Sequence, residues 1–419
     1  MQGSEVKRNL FLKNISSILI VLIYSFNMLI MSSNRFFAFF SGLNVGPIFI
    51  LIFILMIGTF SIRVPKQYPL YIVMVAYYIL SVIINHGGSI SALQQAYIII
   101  FVMAMYNCNF TRASLRIVTA ANLFVWIMWV INGRQYGSVY LSTLKGMSFN
   151  SNTVSELLLF SYMVVTIFSK VSSNKSHVVY LFHGKEIKHP YFILRVLFFA
   201  VTLWGIWQTE SRTSAVVFII FNVLYLLSPK RLNRKGVLII TAIILASGLI
   251  FPVFYLSLQT NYKVINWVKA VTGKNLFTGR EYTWNFLFQH LIGNRKAIIF
   301  GIGLRPAIQL ADFLTNVHNS YLAYLMFFGV IGLILYFIFV MFLVNDICDG
   351  LETSNREFFL SCIFATWVVL IILYTETIAV WPVFMIIPYF IMCIGGNRSL
   401  QKADAFAEPS KIWKMEELQ

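Results

Sequence analysis

Residues 319–344 read NSYLAYLMFFGVIGLILYFIFVMFLV, twenty-six positions without an Asp, Glu, Lys, Arg or His. About 20 apolar residues suffice for a helix to cross the roughly 30 Å hydrocarbon core of a bilayer, and a helix apolar on every face has to be enclosed by protein or by lipid. The rest of the chain repeats this composition. Hydrophobic residues make up 59% of the 419 positions and charged residues 11%, against roughly half and a quarter in soluble domains. The 39 Phe, 21 Tyr and 9 Trp suit lipid-facing surfaces and the aromatic belts at the headgroup levels. A chain of this kind is solvated by lipid.

Working outward from 319–344, spans of sufficient length can be placed at 15–31, 43–61, 68–84, 92–106, 117–131, 152–169, 191–208, 212–228, 236–256, 357–374 and 378–396. The expected fold is therefore all-α, a polytopic transmembrane helical bundle of about twelve spans. The first span follows the basic stretch Lys7, Arg8 and Lys13, and no small-residue cleavage site follows it, so it reads as an uncleaved span. Basic residues in short loops favour the cytoplasmic side. The loops assigned inside hold 20 of the 32 Lys and Arg, against four (Arg35, Arg134, Lys145, Arg212) in short outer loops. This bias puts both termini in the cytoplasm and divides the chain into spans 1–9 (1–256), a large extracytoplasmic loop (257–318), spans 10–12 (319–396) and a cytoplasmic tail (397–419). The net charge of +17 is then mostly a topology signal, helped by attraction to anionic membrane lipid, and no nucleic-acid partner is needed. Cys108, Cys348, Cys362 and Cys393 have no paired spacing that supports a disulfide framework or a metal site.

The segment 257–318 breaks the pattern of short connectors. Connections of about 60 residues are functional or disordered, and the aromatic content, with Trp267 and Trp284, favours order; short helices on the outer face are expected. It carries Phe277-Thr278-Gly279-Arg280 with Trp284 four residues on, then Phe300-Gly301-Ile302-Gly303, then Val317-His318-Asn319-Ser320-Tyr321-Leu322 running into Phe328-Gly329-Val330-Ile331-Gly332-Leu333. Upstream stands Glu210-Ser211-Arg212-Thr213-Ser214-Ala215. In this order the four motifs resemble the O-antigen ligase and polysaccharide polymerase family, membrane glycosyltransferases that act on undecaprenyl-diphosphate-linked glycans. In that family an SR pair follows one span, GR and a Trp open the large periplasmic loop, a GxG follows, and HN with GxxGL opens the next span. The resemblance covers 205–335; the first 140 residues match only in hydropathy.

The chemistry can be weighed on the residues themselves. A lipid-linked diphosphate is suited to guanidinium, whose planar fork donates paired hydrogen bonds and keeps its charge. Arg212, between two spans, Arg280, and Arg305 after Gly303 are the candidate diphosphate ligands. His318 alone in the loop can titrate near neutrality and take a proton from a sugar hydroxyl, so it is the candidate general base, set at a helix start with Leu322, Leu325, Gly329 and Gly332 behind it at helical spacing. Asn319, Glu376, Glu210 and Glu156 are candidate supporting groups; the alternative for Glu156 is simple helix capping, for His318 capping of an interfacial helix together with Asn319, and for Arg280 a pair with Glu281 or a position facing water. Gly273-Lys274 lacks the glycine loop of a phosphate-binding motif, and Gly301-Ile302-Gly303 alone is no dinucleotide fingerprint.

The resemblance implies a polymerase of O-antigen or capsule repeat units in the bacterial cytoplasmic membrane, metal-independent and without a cofactor, whose partners are the undecaprenyl-diphosphate-linked oligosaccharide, membrane lipid and a chain-length regulator protein. An O-antigen ligase, transferring the glycan to a lipid acceptor, shares all four motifs. The reading from another class is a flippase or transporter of lipid-linked sugars, which would line a midplane cavity with ionisable groups and interrupt its helices there.

Overall fold

The computed structural model describes residues 15–28, 68–85, 90–172, 179–187, 190–227, 232–302, 317–376 and 382–401, apart from positions 16, 109, 137–138, 143–146, 182–184, 274, 276–278 and 354. They form helices α1 (Ser17–Met28), α2 (Tyr68–Ile84), α3 (Ile90–Asn107), α4 (Arg112–Asn132), α5 (Ser151–Ser172), α6 (Pro190–Gln208), α7 (Arg212–Leu227), α8 (Arg234–Ser257), α9 (Tyr262–Thr272), α10 (Arg280–Ile292), α11 (Arg295–Phe300), α12 (Ser320–Cys348), α13 (Arg356–Ile372) and α14 (Pro382–Ile394), with a last turn at Arg398–Gln401. Two connectors hold short antiparallel strands: β1 (Gly133–Tyr136), β2 (Val139–Ser142) and β3 (Met147–Asn150) form a meander with Val139 opposite Asn150, and β4 (Val179–Leu181) pairs with β5 (Lys185–Ile187). Each expected span overlaps a helix except 43–61, which lies outside the described residues, as do 29–31, 228 and 378–381 at the ends of three others.

Among the described residues, four helical stretches are long and apolar enough to cross a membrane: Ser114–Ile131, Ser151–Phe168, Arg234–Thr260 and Ser320–Glu352. Shorter apolar helices run over Ser17–Met28, Pro69–Ser81, Ile193–Gln208 and Arg212–Leu227. The outward faces of α6, α7 and α8 carry large apolar side chains, among them Trp207, Leu226 and Ile250 at 72, 79 and 61% exposure. An aqueous surface does not sustain such a continuous belt, whereas lipid tails are as apolar as the side chains themselves. The centre of the bundle is α13, buried on every face from Phe358 to Leu370, together with α12, which packs on α2, α8, α11 and α13.

Asparagine sets the start of four of these helices. Asn233, Asn261, Asn294 and Asn319 accept from the backbone N–H three residues on, at 2.9, 3.2, 3.0 and 2.7 Å, each satisfying a donor that a helix start leaves without a partner in the helix. Helix α12 is not continuous. Gly329 has φ 67° and ψ −172°, and the break receives the Phe300-Gly301 segment backbone to backbone. A Cβ on Gly329 would collide with the Ile299 carbonyl, and one on Gly301, itself at φ 78°, with the Phe327 carbonyl. The carbonyls freed by the break are taken up locally: Ile302 N–H donates to Met326 O at 2.7 Å, Tyr77 OH to Phe328 O at 2.6 Å, and Ser81 Oγ to Phe327 O at 3.4 Å, the same hydroxyl also reaching Phe300 O at the end of α11 at 3.1 Å. The helical spacing expected from His318 through Gly332 is therefore interrupted at Gly329, and the glycine motifs of the two segments are one joint.

At the opposite end of the same helices, Arg234 bridges to Asp349 at 2.9 Å and to Asn345 at 2.8 Å, and Arg356 donates to Leu232 O at 2.6 Å. These bonds tie the start of α8 to the end of α12 and the start of α13.

Candidate functional site

At the other end, α5, α7, α10 and α12 begin where α13 finishes. The first turn of α12 is fastened to the last turn of α13: Ser320 N–H donates to Leu373 O at 2.9 Å, Ser320 Oγ to Glu376 O at 2.6 Å, Asn319 Nδ2 to Tyr374 O at 2.8 Å, and Tyr321 OH to Leu370 O at 2.8 Å. A carbonyl array thus meets a helix N-terminus, which satisfies both sets of terminal backbone groups. Gly248 of α8 lies against this junction; a Cβ there would press on the Tyr321 and Tyr374 rings.

The Glu376 carboxylate is the centre of the cluster. Its Oε1 accepts from Arg280 Nη2 at 3.1 Å and from Asn152 Nδ2 at 2.8 Å, and its Oε2 stands 3.7 Å from His318 Nδ1. The side chains of Glu376, Arg280 and His318 are 12, 18 and 27% exposed, so the charges are shielded while the imidazole keeps a route to solvent. No family model, curated protein or solved structure matches this chain.

His318 has φ 50°, the left-handed region that a residue with a Cβ enters at a cost, and such strain is held in place by the surroundings, most often at functional sites. Two anchors hold it. On its C-terminal side Asn319, fully buried, caps α12 and also donates to Tyr374 O and Gly248 O. On its N-terminal side the Val317 carbonyl accepts from the Trp284 indole at 2.6 Å. Trp284 is itself fully buried, edge-on to Tyr255 and Phe251 of α8. The Trp that follows Gly279-Arg280 in sequence is therefore a brace for His318.

Gly279, at φ 93°, starts α10 in a conformation open to glycine, and Glu281 folds back so that its carboxylate accepts from Gly279 N–H at 3.0 Å. Glu281 is occupied as a cap, and Arg280 is turned to Glu376 instead of pairing with its sequence neighbour.

The remaining candidates are placed as follows. Glu156 is 5% exposed on α5 and interacts electrostatically with Glu376 and Arg280; it lies one helical turn behind Asn152, inside α5 and not at its cap. Arg212 is the first residue of α7 and donates to Asn275 O at 3.1 Å on the exposed side. Its neighbours reach inward: Thr375 Oγ1 donates to Thr213 Oγ1 at 3.2 Å, and Ser214 Oγ meets Ser155 Oγ at 2.7 Å. Glu210, at φ 55°, is exposed in the tight turn between α6 and α7. Arg305 lies outside the described residues. The cluster thus unites Arg280, His318, Glu376 and Glu156, with Asn319 as scaffold and Arg212 at its rim.

Trp284 reads in the sequence only as a motif residue without a positioning role, and Asn152 and the hydroxyl pairs Ser155–Ser214 and Thr213–Thr375 are not among the candidate site residues. The readable sign for Asn152 was its i, i+4 spacing from Glu156, which places both on one face of α5; for the others nothing local distinguishes a positioning side chain from an ordinary one.

Chemically the arrangement joins an anion-compatible arginine to a base. The N-termini of α5 and α7 each add a partial positive charge, which favours a negatively charged ligand beside Arg280, whereas the first N–H groups of α10 and α12 are taken up by Glu281 and by Asn319 and Leu373. Glu376 Oε2 faces Nδ1 of His318 at 3.7 Å, and imidazole is a side chain that can take a proton from a hydroxyl.

Proposed function

We propose that this chain is a polysaccharide polymerase of the O-antigen ligase and polysaccharide polymerase kind, in a bundle of about twelve spans, working at the outer face of the bacterial cytoplasmic membrane. The observation that supports this reading is the meeting of Arg280, His318 and Glu376 on one carboxylate. Arg280 and His318 come from separate motifs and Glu376 from a third segment beyond them, and the three stand at one end of apolar helices and not midway along them, where a transporter would place its charges.

In the proposed reaction Arg280, with Arg212 at the rim, holds the diphosphate of an undecaprenyl-diphosphate glycan. His318 Nε2 takes the proton of a hydroxyl on the incoming lipid-linked repeat unit. The hydroxyl oxygen forms a bond to the anomeric carbon as the bond from that carbon to the diphosphate oxygen breaks. The electron pair leaves with undecaprenyl diphosphate, whose charge the arginine and the helix N-termini offset. Glu376 positions the base and balances its charge during the transfer; Asn152 holds Glu376 from behind through its 2.8 Å hydrogen bond.

The test is His318→Ala in cells that make the glycan. Single repeat units with no long polymer, in a protein that still inserts, are expected, with residual extension about 10²–10⁴-fold slower. Loss of short and long surface glycan together, with full-length polymer stranded on the carrier lipid, would instead identify a ligase. Unchanged polymer length would remove His318 from the mechanism.

A further inference from the structure

Helix α9 carries Val264, Trp267, Val268 and Val271, the i, i+3, i+4, i+7 spacing that builds one apolar stripe along a helix. Asn266 and Lys269 occupy the opposite arc, Lys263 flanks the stripe beside Trp267, and α9 contains no acidic residue. A stripe of this kind is normally the face a helix buries, yet none of the four is buried. Trp267 is 66% and Val271 64% exposed, and Val264 and Val268 are half-buried. The rest of the fold identifies what covers them. Helix α8, 24 residues long, spans about 36 Å at 1.5 Å per residue, which carries its end to the headgroup level. Its last turns expose Ile250, Val253 and Phe254 to the same surroundings as the rest of the lipid-facing belt. From there the turn Leu258–Thr260 and Asn261 lead directly into α9, so the stripe begins where the chain leaves the hydrocarbon.

We infer that α9 is an interfacial helix seated in the headgroup layer of the leaflet on the Arg280–Glu376 side, with Val264, Trp267, Val268 and Val271 on the acyl chains and Lys263 and Lys269 reaching back to lipid phosphates. Trp suits this depth because its ring is apolar and its N–H polar, and lysine extends its charge to the interface from an apolar stem. The positive helix and an anionic leaflet are complementary. Helix α9 ends at Thr272 and α10 starts at Arg280, so the interfacial helix lies close in sequence to the candidate anion ligand. The inference rests on the apolar belt and the stripe, and stands whether or not the chain is a polymerase.

The test places single nitroxide labels in the full-length protein, reconstituted in phosphatidylethanolamine–phosphatidylglycerol vesicles, through Trp267→Cys, Val271→Cys, Lys263→Cys and Asn266→Cys; the native cysteines are buried. At 267 and 271 collision with oxygen is expected to exceed collision with a water-soluble nickel complex, and at 263 and 266 the order is expected to invert. Equal access of nickel to all four positions would put the stripe in water and overturn the inference. So would labels at 267 and 271 immobilised and shielded from both reagents, which would mean that a protein surface, a partner or a second copy, covers the stripe. Because Trp267→Cys removes part of the anchor, a second measurement keeps Trp267: the emission lost on Trp267→Phe should be the component quenched by lipids brominated near the headgroup, and a lost component insensitive to bromine would overturn the inference independently.

Discussion

Arg280 and Glu376 lie 96 positions apart in the chain and meet as an ion pair at 3.1 Å, their side chains 18 and 12% exposed. The pair fastens α10 to the turn beyond α13, and the second carboxylate oxygen is presented to His318. One residue therefore couples the candidate anion ligand to the candidate base.

Replacing Glu376 by Gln keeps the shape and removes the charge. Breaking a buried pair costs about 3–5 kcal/mol; with both groups partly solvated, on the order of 1–3 kcal/mol is expected here. The Glu376→Gln protein should remain folded in detergent, with a lowered thermal midpoint, and should lose polymer-forming activity out of proportion to that loss. Activity that fell only as far as the amount of folded protein would reduce Glu376 to a structural tie.

Arg280→Lys keeps the charge and removes the planar fork. Lysine cannot hold Glu376 and a diphosphate oxygen in fixed geometry at once, so most activity should disappear while insertion is normal. Arg212→Lys, at the rim on a backbone carbonyl, should do less harm. Equal and mild effects on glycan length at both positions would leave the charge alone as their contribution.

Trp284→Phe removes the donor to the Val317 carbonyl and keeps the aromatic packing. Val317 is half-buried, so losing this hydrogen bond costs about 0.5–1.5 kcal/mol. The larger effect should fall on turnover, because the constraint on the strained His318 is released, and it should appear as a shifted pH profile of activity. A normal profile with lowered stability would make Trp284 a packing residue only.

Gly329→Ala and Gly273→Ala form a matched pair. Both glycines have nearly the same φ, 67° and 69°, but a Cβ on Gly329 meets the Ile299 backbone while one on Gly273 meets open space. Gly273→Ala should cost roughly 1–2 kcal/mol, the strain of the left-handed backbone. Gly329→Ala should prevent the 300–302 segment from docking and sharply reduce the yield of folded protein. Similar yields from the two would mean that the joint tolerates displacement.

The topology is tested by thiol accessibility. Gln289 and Lys235 are both exposed and lie at opposite ends of the bundle. Gln289→Cys should react with a membrane-impermeant reagent added outside cells whose outer envelope has been opened, and Lys235→Cys should not. The reverse pattern would put the Arg280–Glu376 cluster in the cytoplasm and exclude the proposed reaction.

Helix identity and placement were legible because hydrocarbon imposes a length and an apolarity that local sequence must meet. The segment 68–84 coincides with α2, and Asn233, Asn261, Asn294 and Asn319 mark helix starts through bonds that span only three residues. Arg280 and His318 were legible as chemistry, since their neighbours Gly279 and Asn319 mark special backbone positions. Partnership was not. Nothing local distinguishes Glu376, which serves as the shared carboxylate, from Glu281, which caps its own helix and is the nearer sequence partner of Arg280. The spacing of Gly329 and Gly332 suggested a smooth helical face, and only the arrival of Gly301 from another segment shows that Gly329 is a break. A helix start or a lipid-facing stripe is decided by interactions within a few residues, so the sequence carries it. A salt bridge across 96 residues, or a backbone joint between Gly301 and Gly329, depends on which segments the packing of α12 and α13 brings together, and that is settled only when the chain is folded.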